Sequence, residues 1–415
     1  MNSFDIAGCL CCESGNLRLT LDLGRQPLAN EFRPPDAPAC DEHPLVLMTC
    51  LDCWHSQLSH CVSRKLIFEN YAYASGTSNT LRRYFSWFGN CLKDWLGPDQ
   101  RVLDIAANDG TFVSELIELG INAIGIDPAS NLVRAAKARG LPITEGYWPD
   151  DADRLEGYFD VIVCMNVLAH VSNPKDFLAQ CARSLAPGGI IIVQPSQLRM
   201  FQHNEFDTCY HEHLPFFNSR SINALAQRVE LELGATAIVK VHGDSPLYFI
   251  RKKGDPAFKD PSIFFKRGEF GTSEDLVLYE HSVNLFDSET YVGFSNNCRE
   301  VLRKFENRVS LHRKAGYKIV FVGAAAKAMT MINASGLIPD LFVDEAALKI
   351  GKMAPGIKVP INGLAALKSL STPALVVITA WNFKSELLRK ITEIGVPGGS
   401  CYYCYFPVEE HGLIR

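Results

Sequence analysis

The sequence predicts an α/β fold, with two Rossmann-like domains behind a small cysteine-bearing module. Three observations carry this. Between residues 102 and 128 an apolar run, a turn, a helical pattern and a second apolar run follow one another, which is half of a doubly wound sheet. A second strand–turn–helix unit opens at 319–322 and reaches its next strand at 341–344. Ahead of both, Cys9-Leu-Cys-Cys12 and Cys50-Leu-Asp-Cys53 form paired C-x-x-C knuckles.

A chain of 415 residues has room for two or three domains, each with its own core. Hydrophobic content of 47% and charged content of 21% are those of an ordinary globular protein. The net charge of −5 argues against duplex nucleic acid or an anionic membrane as partner. No apolar run approaches the roughly 18 residues of a membrane span. The N-terminus lacks the basic-then-apolar pattern of a signal peptide. Fourteen irregularly spaced cysteines suit a reducing compartment, most of them as buried small apolar groups. A cytoplasmic monomer is expected.

Each knuckle can place two thiolates on one metal. Cys9, Cys12, Cys50 and Cys53 together complete a closed tetrahedral zinc site. Cys11 leaves the first knuckle's register open. Four thiolates leave no free coordination position, so the zinc is structural. A third C-x-x-C, Cys401 to Cys404, lies in a strand-like setting where i and i+3 face opposite ways, and reads as core.

In the first strand–turn–helix unit, Asp104 and Ala106 lead into Ala107-Asn108-Asp109-Gly110, the helix closes at Gly120, and the next apolar run ends on Asp127-Pro128. Asp127 stands 23 residues after Asp104, near the spacing at which a carboxylate meets ribose hydroxyls. The glycine fingerprint of dinucleotide sites is missing. A pyrophosphate needs glycines to approach a helix N-terminus, and an Asn108-Asp109 turn would repel it. The turn suits an adenosine ligand with a positive charge and no phosphate, which is S-adenosylmethionine. The plain alternative is any doubly wound sheet. Asp104, Ala106, Asn108, Asp109 and Asp127 are the cofactor-side candidates.

Further on come a helix over 132–139, a short strand near 142–144 and a strand over 159–165 that exits into Asn166-Val-Leu-Ala-His170. Ligands of open α/β sheets bind outside the C-terminal strand ends, so Asn166 and His170 lie where cofactor and substrate would meet. A histidine in such a turn also reads as a cap. Pro187-Gly188-Gly189 turns the chain into a strand over 190–193. Residues 61–97 read as mostly helical, the aromatics of 84–95 packing onto the sheet. Residues 206–215 form the densest polar aromatic cluster. Its H-E-H triplet has histidines at i and i+2, which is no zincin pattern. The bland reading is a polar loop. The functional one gives His213 a near-neutral pKa, with the Tyr210 phenol and Glu212 carboxylate available to orient it. A helix over 219–228, strands near 237–241 and 247–250, a connector over 254–290 and a helix over 291–313 complete the middle of the chain.

Several motifs in order now become specific: residues 21–32 (LDLGRQPLANEF), Asn70 to Ser78, the Asn108-Asp109-Gly110 turn, Tyr210-His-Glu-His213, Gly323-Ala-Ala-Ala-Lys327 and Ala380-Trp-Asn382. Together they resemble the S-adenosylmethionine-dependent sugar C-methyltransferases that act on nucleotide-linked 4-keto-deoxysugars, across essentially the whole chain. The resemblance implies a zinc-binding module over 1–65, a class I methyltransferase domain over 66–253, and linking helices with a C-terminal Rossmann-like domain over 254–415. It sets Tyr73 and Ser75 to Ser78 over the cofactor, and matches Tyr210, Glu212 and His213, with His211 at a variable position. His242-Gly243 matches a His-Gly-Gly turn in which Asp244 replaces the second glycine. Lys327, Asn333, Trp381, Asn382 and His242 become substrate-side candidates, although Trp381 reads equally as core.

The implied reaction moves a methyl group from S-adenosylmethionine to a ring carbon, C3, beside the ketone of a nucleotide-linked 4-keto-6-deoxyhexose. His213 is the base, Glu212 orients it, and Tyr210 and His170 are enolate donors or positioning groups. The rivals are a sugar O- or N-methyltransferase on the same scaffold, an RNA methyltransferase gripping its substrate with the knuckles, and a scaffold that has lost turnover. The acidic balance speaks against the RNA reading.

Overall fold

The computed structural model describes residues 3–63, 78–155, 157–196 and 198–414. The N-terminal module is all β: β1 (Ser3–Asp5), β2 (Leu17–Pro27), β3 (Glu42–Cys50), β4 (Ser56–Leu58) and β5 (His60–Val62). β2, β3 and β4 run antiparallel to one another in sequence order, and β1 pairs with β5. Leu21, Leu45, Leu47 and Leu58 are buried on one side of this sheet.

The central domain holds β6 (Arg101–Ile105), β7 (Asn122–Asp127), β8 (Ile143–Glu145), β9 (Phe159–Met165) and β10 (Leu185–Gln194). It continues with β11 (Pro215–Phe216), β12 (Leu231–Val239) and β13 (Ser245–Lys252). Seven of these form one sheet in the order β12-β13-β10-β9-β6-β7-β8. β10, β9, β6, β7 and β8 are parallel, and β13 is antiparallel to both its neighbours. Its strands are apolar on both faces because both are covered. Alternate residues go opposite ways. Leu103, Ile105, Ile162 and Val193 join Phe177, Leu178, Ile222 and Leu225 in one core, while Val102, Val161, Val163 and Ile192 join Phe88, Phe112, Val113 and Val133 in another.

The helix Asn79–Trp95 starts where the Ser78 side chain accepts the Leu81 amide, and buries Leu81, Tyr84, Phe85, Phe88 and Leu92 along one stripe. The segment 254–285, read from sequence as a connector, belongs to this wall. Phe265 sits 4.7 Å from the Phe88 ring and 5.3 Å from Phe249, and Phe270 sits 5.2 Å from Tyr84.

The helix Ser288–Lys314, expected over 291–313, leads to the C-terminal domain and buries Phe294, Cys298, Phe305 and Val309. There, β14 (Lys318–Val322), β15 (Leu341–Val343), β16 (Ile361–Asn362), β17 (Ala374–Ile378), β18 (Cys401–Cys404) and β19 (Glu410–Leu413) pair in the order β16-β15-β14-β17-β18-β19. All are parallel except β19. The third C-x-x-C is a strand, as its setting suggested, with Cys404 buried. This domain repeats a device of the central one. Asp127 accepts the amides of Asn108 and Ala129, both at 2.8 Å. Asp344 accepts those of Ala324 at 2.6 Å and Ala346 at 2.7 Å.

The three parts meet around residues 200–216. β11 pairs antiparallel with β4, setting Pro215 opposite Gln57 and Phe216 opposite Ser56, so the central domain supplies the last strand of the N-terminal sheet. Leu21, Leu47, Phe206, Leu214, Phe305, Phe321 and Met329 share a single core.

Candidate active site

The C-terminal ends of β6, β7, β9 and β10 open onto a cavity of about 690 Å³. Around it the backbone leaves extended geometry abruptly. Ala106, Asn108 and Asn166 have φ of 59°, 53° and 55°, values that non-glycine residues seldom adopt outside functional turns. Asp104, Ala106, Asn108, Asp127, Asn166 and His170, all singled out from sequence, line the cavity. Asp104 is pushed well above the usual carboxylate range by burial, with the charge of Asp127 adding to it. Burial also raises Asp127, against the two amides that favour its charged form. Strand order sets Asp127 and Asp150 on the β7–β8 side, and His170, Gln194 and His242 toward β9, β10 and β12. Lys327 is the one lysine or arginine among the described lining residues. An acidic wall free of cations fits a sulfonium and a ribose and does not fit a phosphate, so this residue set can hold S-adenosylmethionine.

Across from that wall lies the 206–213 turn. His213 Nδ1 lies 3.1 Å from the Thr208 carbonyl and Nε2 lies 2.7 Å from the Tyr210 hydroxyl. A carbonyl can only accept, so Nδ1 carries the proton and Nε2 accepts from the phenol. Burial drives the imidazole well below its ordinary pKa, His170 and Lys327 lower it further, and the Thr208 carbonyl opposes them. His213 is a neutral base with its lone pair turned to a phenol. The His170 ring is 5.2 Å away, with its Nδ1 2.6 Å from the Glu212 carbonyl.

Several expectations change here. The Glu212 side chain does not orient His213. Its Oε1 accepts Asn30 Nδ2 of the N-terminal module at 2.6 Å, and burial pushes its carboxyl up to about 7. The orienting group is the Thr208 carbonyl. Asp109 precedes the helix Thr111–Glu118, its Oδ1 accepting the Thr111 amide and hydroxyl, and is absent from the cavity wall. His242, Lys327 and Asn382 reach the cavity, whereas Asn333 and Trp381 do not. Asn333 donates to the Pro355 carbonyl, and Trp381 donates to Asp207 at 2.6 Å, with Lys327 Nζ 4.6 Å above its ring. Tyr73 and Ser75 lie outside the described residues.

Asp244, the departure at the His-Gly-Gly turn, pairs with Arg199 at 3.0 Å and so closes a turn in which His242, Gly243 and Asp244 all have positive φ. Sequence reading missed Asn30, Asp207 and the bond from Tyr84 to Gln194 Oε1 at 2.5 Å. Gln194 carried a signal as a polar residue ending the apolar run of β10, while Asn30 and Asp207 lay unmarked inside the 21–32 motif and the 206–215 cluster.

The four knuckle cysteines converge away from this cavity. Cys9 Sγ lies 3.5 Å from Cys53 Sγ, Cys12 Sγ lies 3.6 Å from Cys50 Sγ, and all four lie within 4.8 Å of one another. Four thiolates about 2.3 Å from one zinc sit roughly 3.8 Å apart, so the cluster fits that ion. Cys11 is not part of it. No other group of three or more His, Cys, Asp or Glu side chains comes together this way among the described residues, and none of the described helices is long and apolar enough to cross a membrane.

Three family models match in succession: "Putative zinc binding domain" over residues 9–68, "Methyltransferase domain" over 73–235 and "C-methyltransferase C-terminal domain" over 269–407. The chain is 24% identical over 403 residues to the C-methyltransferase NovU of Streptomyces niveus, covering 94% of this chain and 93% of that one. A ubiquinone biosynthesis O-methyltransferase of Caulobacter sp. strain K31 is 37% identical over 101 residues, 22% of this chain and 39% of its own. Among solved structures, the magnesium protoporphyrin IX methyltransferase of Synechocystis PCC 6803 overlaps 41% of this chain and 79% of its own. Its TM-score of 0.32 and identity of 13% are too low to bear on chemistry.

Proposed function

We propose that the acceptor of this S-adenosylmethionine-dependent C-methyltransferase is a nucleotide-linked 4-keto-6-deoxyhexose, methylated at C3 beside the ketone. The observation that carries this is the Tyr210–His213 pair, a neutral imidazole with its acceptor nitrogen on a phenol inside the cavity. Oxygen and nitrogen acceptors need little help to attack a sulfonium. A carbon acceptor must first lose a proton, so a buried base held neutral is what carbon methylation demands.

The geometry supports the following roles. His213 Nε2 takes the proton from the carbon beside the ketone as the Tyr210 hydroxyl turns from that nitrogen toward the ketone oxygen. The electron pair left behind moves onto the ketone oxygen. His170 and Tyr210 stand near enough to stabilise that enolate. Asp127 and Asn166 hold the methyl donor at the strand ends. When bound, S-adenosylmethionine supplies the electrophilic methyl group that the nucleophilic carbon takes up. Lys327, His242 and Asn382 face the nucleotide-sugar, and Lys327 supplies the positive charge that a diphosphate requires. The zinc site, remote from the cavity and without an open position, is structural.

The experiment is incubation with isotopically labelled S-adenosylmethionine and a panel of nucleotide 4-ketosugars, followed by NMR of the product. A new carbon–carbon bond at C3 supports the reading. A methyl group on oxygen would replace it with sugar O-methylation, and no transfer to any ketosugar would remove the substrate class.

A further inference from the structure

The mechanism leaves one buried cluster unused. Residues 206–209 are gripped by the C-terminal domain at three points. Phe206 packs 5.7 Å from the ring of Phe406. Asp207, fully buried, accepts the Trp381 indole N–H at 2.6 Å. The Cys209 carbonyl accepts the Thr330 hydroxyl at 3.1 Å. Between the last two lies Thr208, whose carbonyl holds His213 Nδ1.

A carboxylate inside a protein is costly unless hydrogen-bonded. Asp207 Oδ1 has no side-chain partner among the described residues, and Trp381 is the side-chain donor to Oδ2, with the charge of Lys327 and the Asp207 backbone amide also favouring the carboxylate against its burial. Neither residue lines the cavity. Both bear on Lys327, which does, but Asp207 itself stands on the backbone of the turn, next to Thr208.

We propose that Asp207 and Trp381 are positioning residues for the base. Their bond, supported by Thr330 on Cys209, fixes the Thr208 carbonyl, and the carbonyl fixes the tautomer and direction of His213. The C-terminal domain thereby completes the active site from behind while facing the nucleotide-sugar from the front. This rests on the reading of His213 as the base.

The test uses the full-length zinc-loaded protein with the accepted ketosugar, and four variants. Trp381→Phe keeps an aromatic face for Lys327 and removes the N–H. Asp207→Leu removes the acceptor. Both should lower kcat about ten- to a hundredfold, the scale of a misplaced catalytic group, with affinity for S-adenosylhomocysteine close to wild type and, in Trp381→Phe, which leaves the charge beside Lys327 in place, KM for the sugar close to wild type as well. The Trp381→Phe/Asp207→Leu double variant should be no worse than the poorer single one, because both remove one bond. Asp207→Asn retains an acceptor oxygen and should recover most of the rate. Thr330→Val, a mild change on the other flank, should lower kcat in the same way by a smaller factor. It decides the matter if the Trp381 variant does not fold.

Wild-type kcat in folded Trp381→Phe, or in Thr330→Val should the former not fold, overturns the proposal. So does a raised KM at unchanged kcat, which would make Trp381 a substrate contact. Full activity in His213→Asn fails the reading of the base and the proposal with it. A dead His213→Asn beside a normal Trp381→Phe fails the proposal alone.

Discussion

At the scale of single residues, His213 is defined by what keeps its proton off. A base whose pKa is lowered in the folded protein is neutral, and competent, above that lowered value. Its rate should therefore hold as pH falls through about 6.5, where an ordinary histidine titrates, and decline only at more acid pH. Lys327 faces it with positive charge, His170 would add to that only when protonated, Glu212 is neutralised below about 7, and the Thr208 carbonyl favours the imidazolium. An acid limb at or above 6.5 in the kcat profile would contradict this arrangement. His213→Asn should abolish methyl transfer by roughly 10²–10⁴. It should also abolish exchange of the ketosugar's α-proton with deuterated solvent when S-adenosylhomocysteine is bound. His170→Asn should cost less, and the reverse ranking would move the base to His170. Asp127 makes a separate case. Its two backbone amides fix the carboxylate in the cavity wall, so Asp127→Asn should weaken S-adenosylmethionine binding by about 1.5–3 kcal/mol, the value of a hydrogen bond to a charged group. Unchanged calorimetric affinity in a folded variant would exclude it as a cofactor ligand.

At the scale of elements, the N-terminal sheet and the catalytic turn form one mechanical unit. Leu58 N–H donates to the Leu214 carbonyl at 2.9 Å, Asn30 donates to Glu212, and the His43 and His211 rings meet edge-on at 5.8 Å. The cysteine cluster that organises this sheet is thus coupled to His213 without touching it. Metal analysis should find about one zinc per chain. Cys53→Ser, or exhaustive chelation, should lower the melting temperature and kcat together. A zinc-free protein with wild-type melting and turnover would detach the metal from both. The elements were legible because their signals are local. Strand runs, the Ser288–Lys314 stripe and the C-x-x-C spacing each read within a short window. The bonds that aim the site were not legible. Asn30 and Glu212 stand 182 residues apart, and Trp381 and Asp207 stand 174 apart; no periodicity relates them. Resemblance singled out Glu212 and Trp381, but their partners came only from the folded chain.

At the scale of the molecule, the cavity is built from all three parts: Cys61 and Val62 from the first, the strand ends and the 210–214 turn from the second, Lys327 and Asn382 from the third. Lys327 supplies the cavity's single ammonium group among the described lining residues. Lys327→Met should therefore raise KM for the nucleotide-sugar about tenfold or more, as loss of a charge-assisted contact does, and change S-adenosylmethionine affinity little. A fall in kcat with KM intact would instead make it part of the base's surroundings. The pairing of β4 with β11 also has a consequence for biosynthesis. The N-terminal sheet leaves the ribosome first, yet the strand that closes it follows roughly 160 residues later. At about 5–20 residues per second, β4 presents an unpaired edge for on the order of ten seconds in every nascent chain. Exposed edges recruit other strands. The newborn module is therefore a client for chaperones until the turn that carries His213 arrives to cover it.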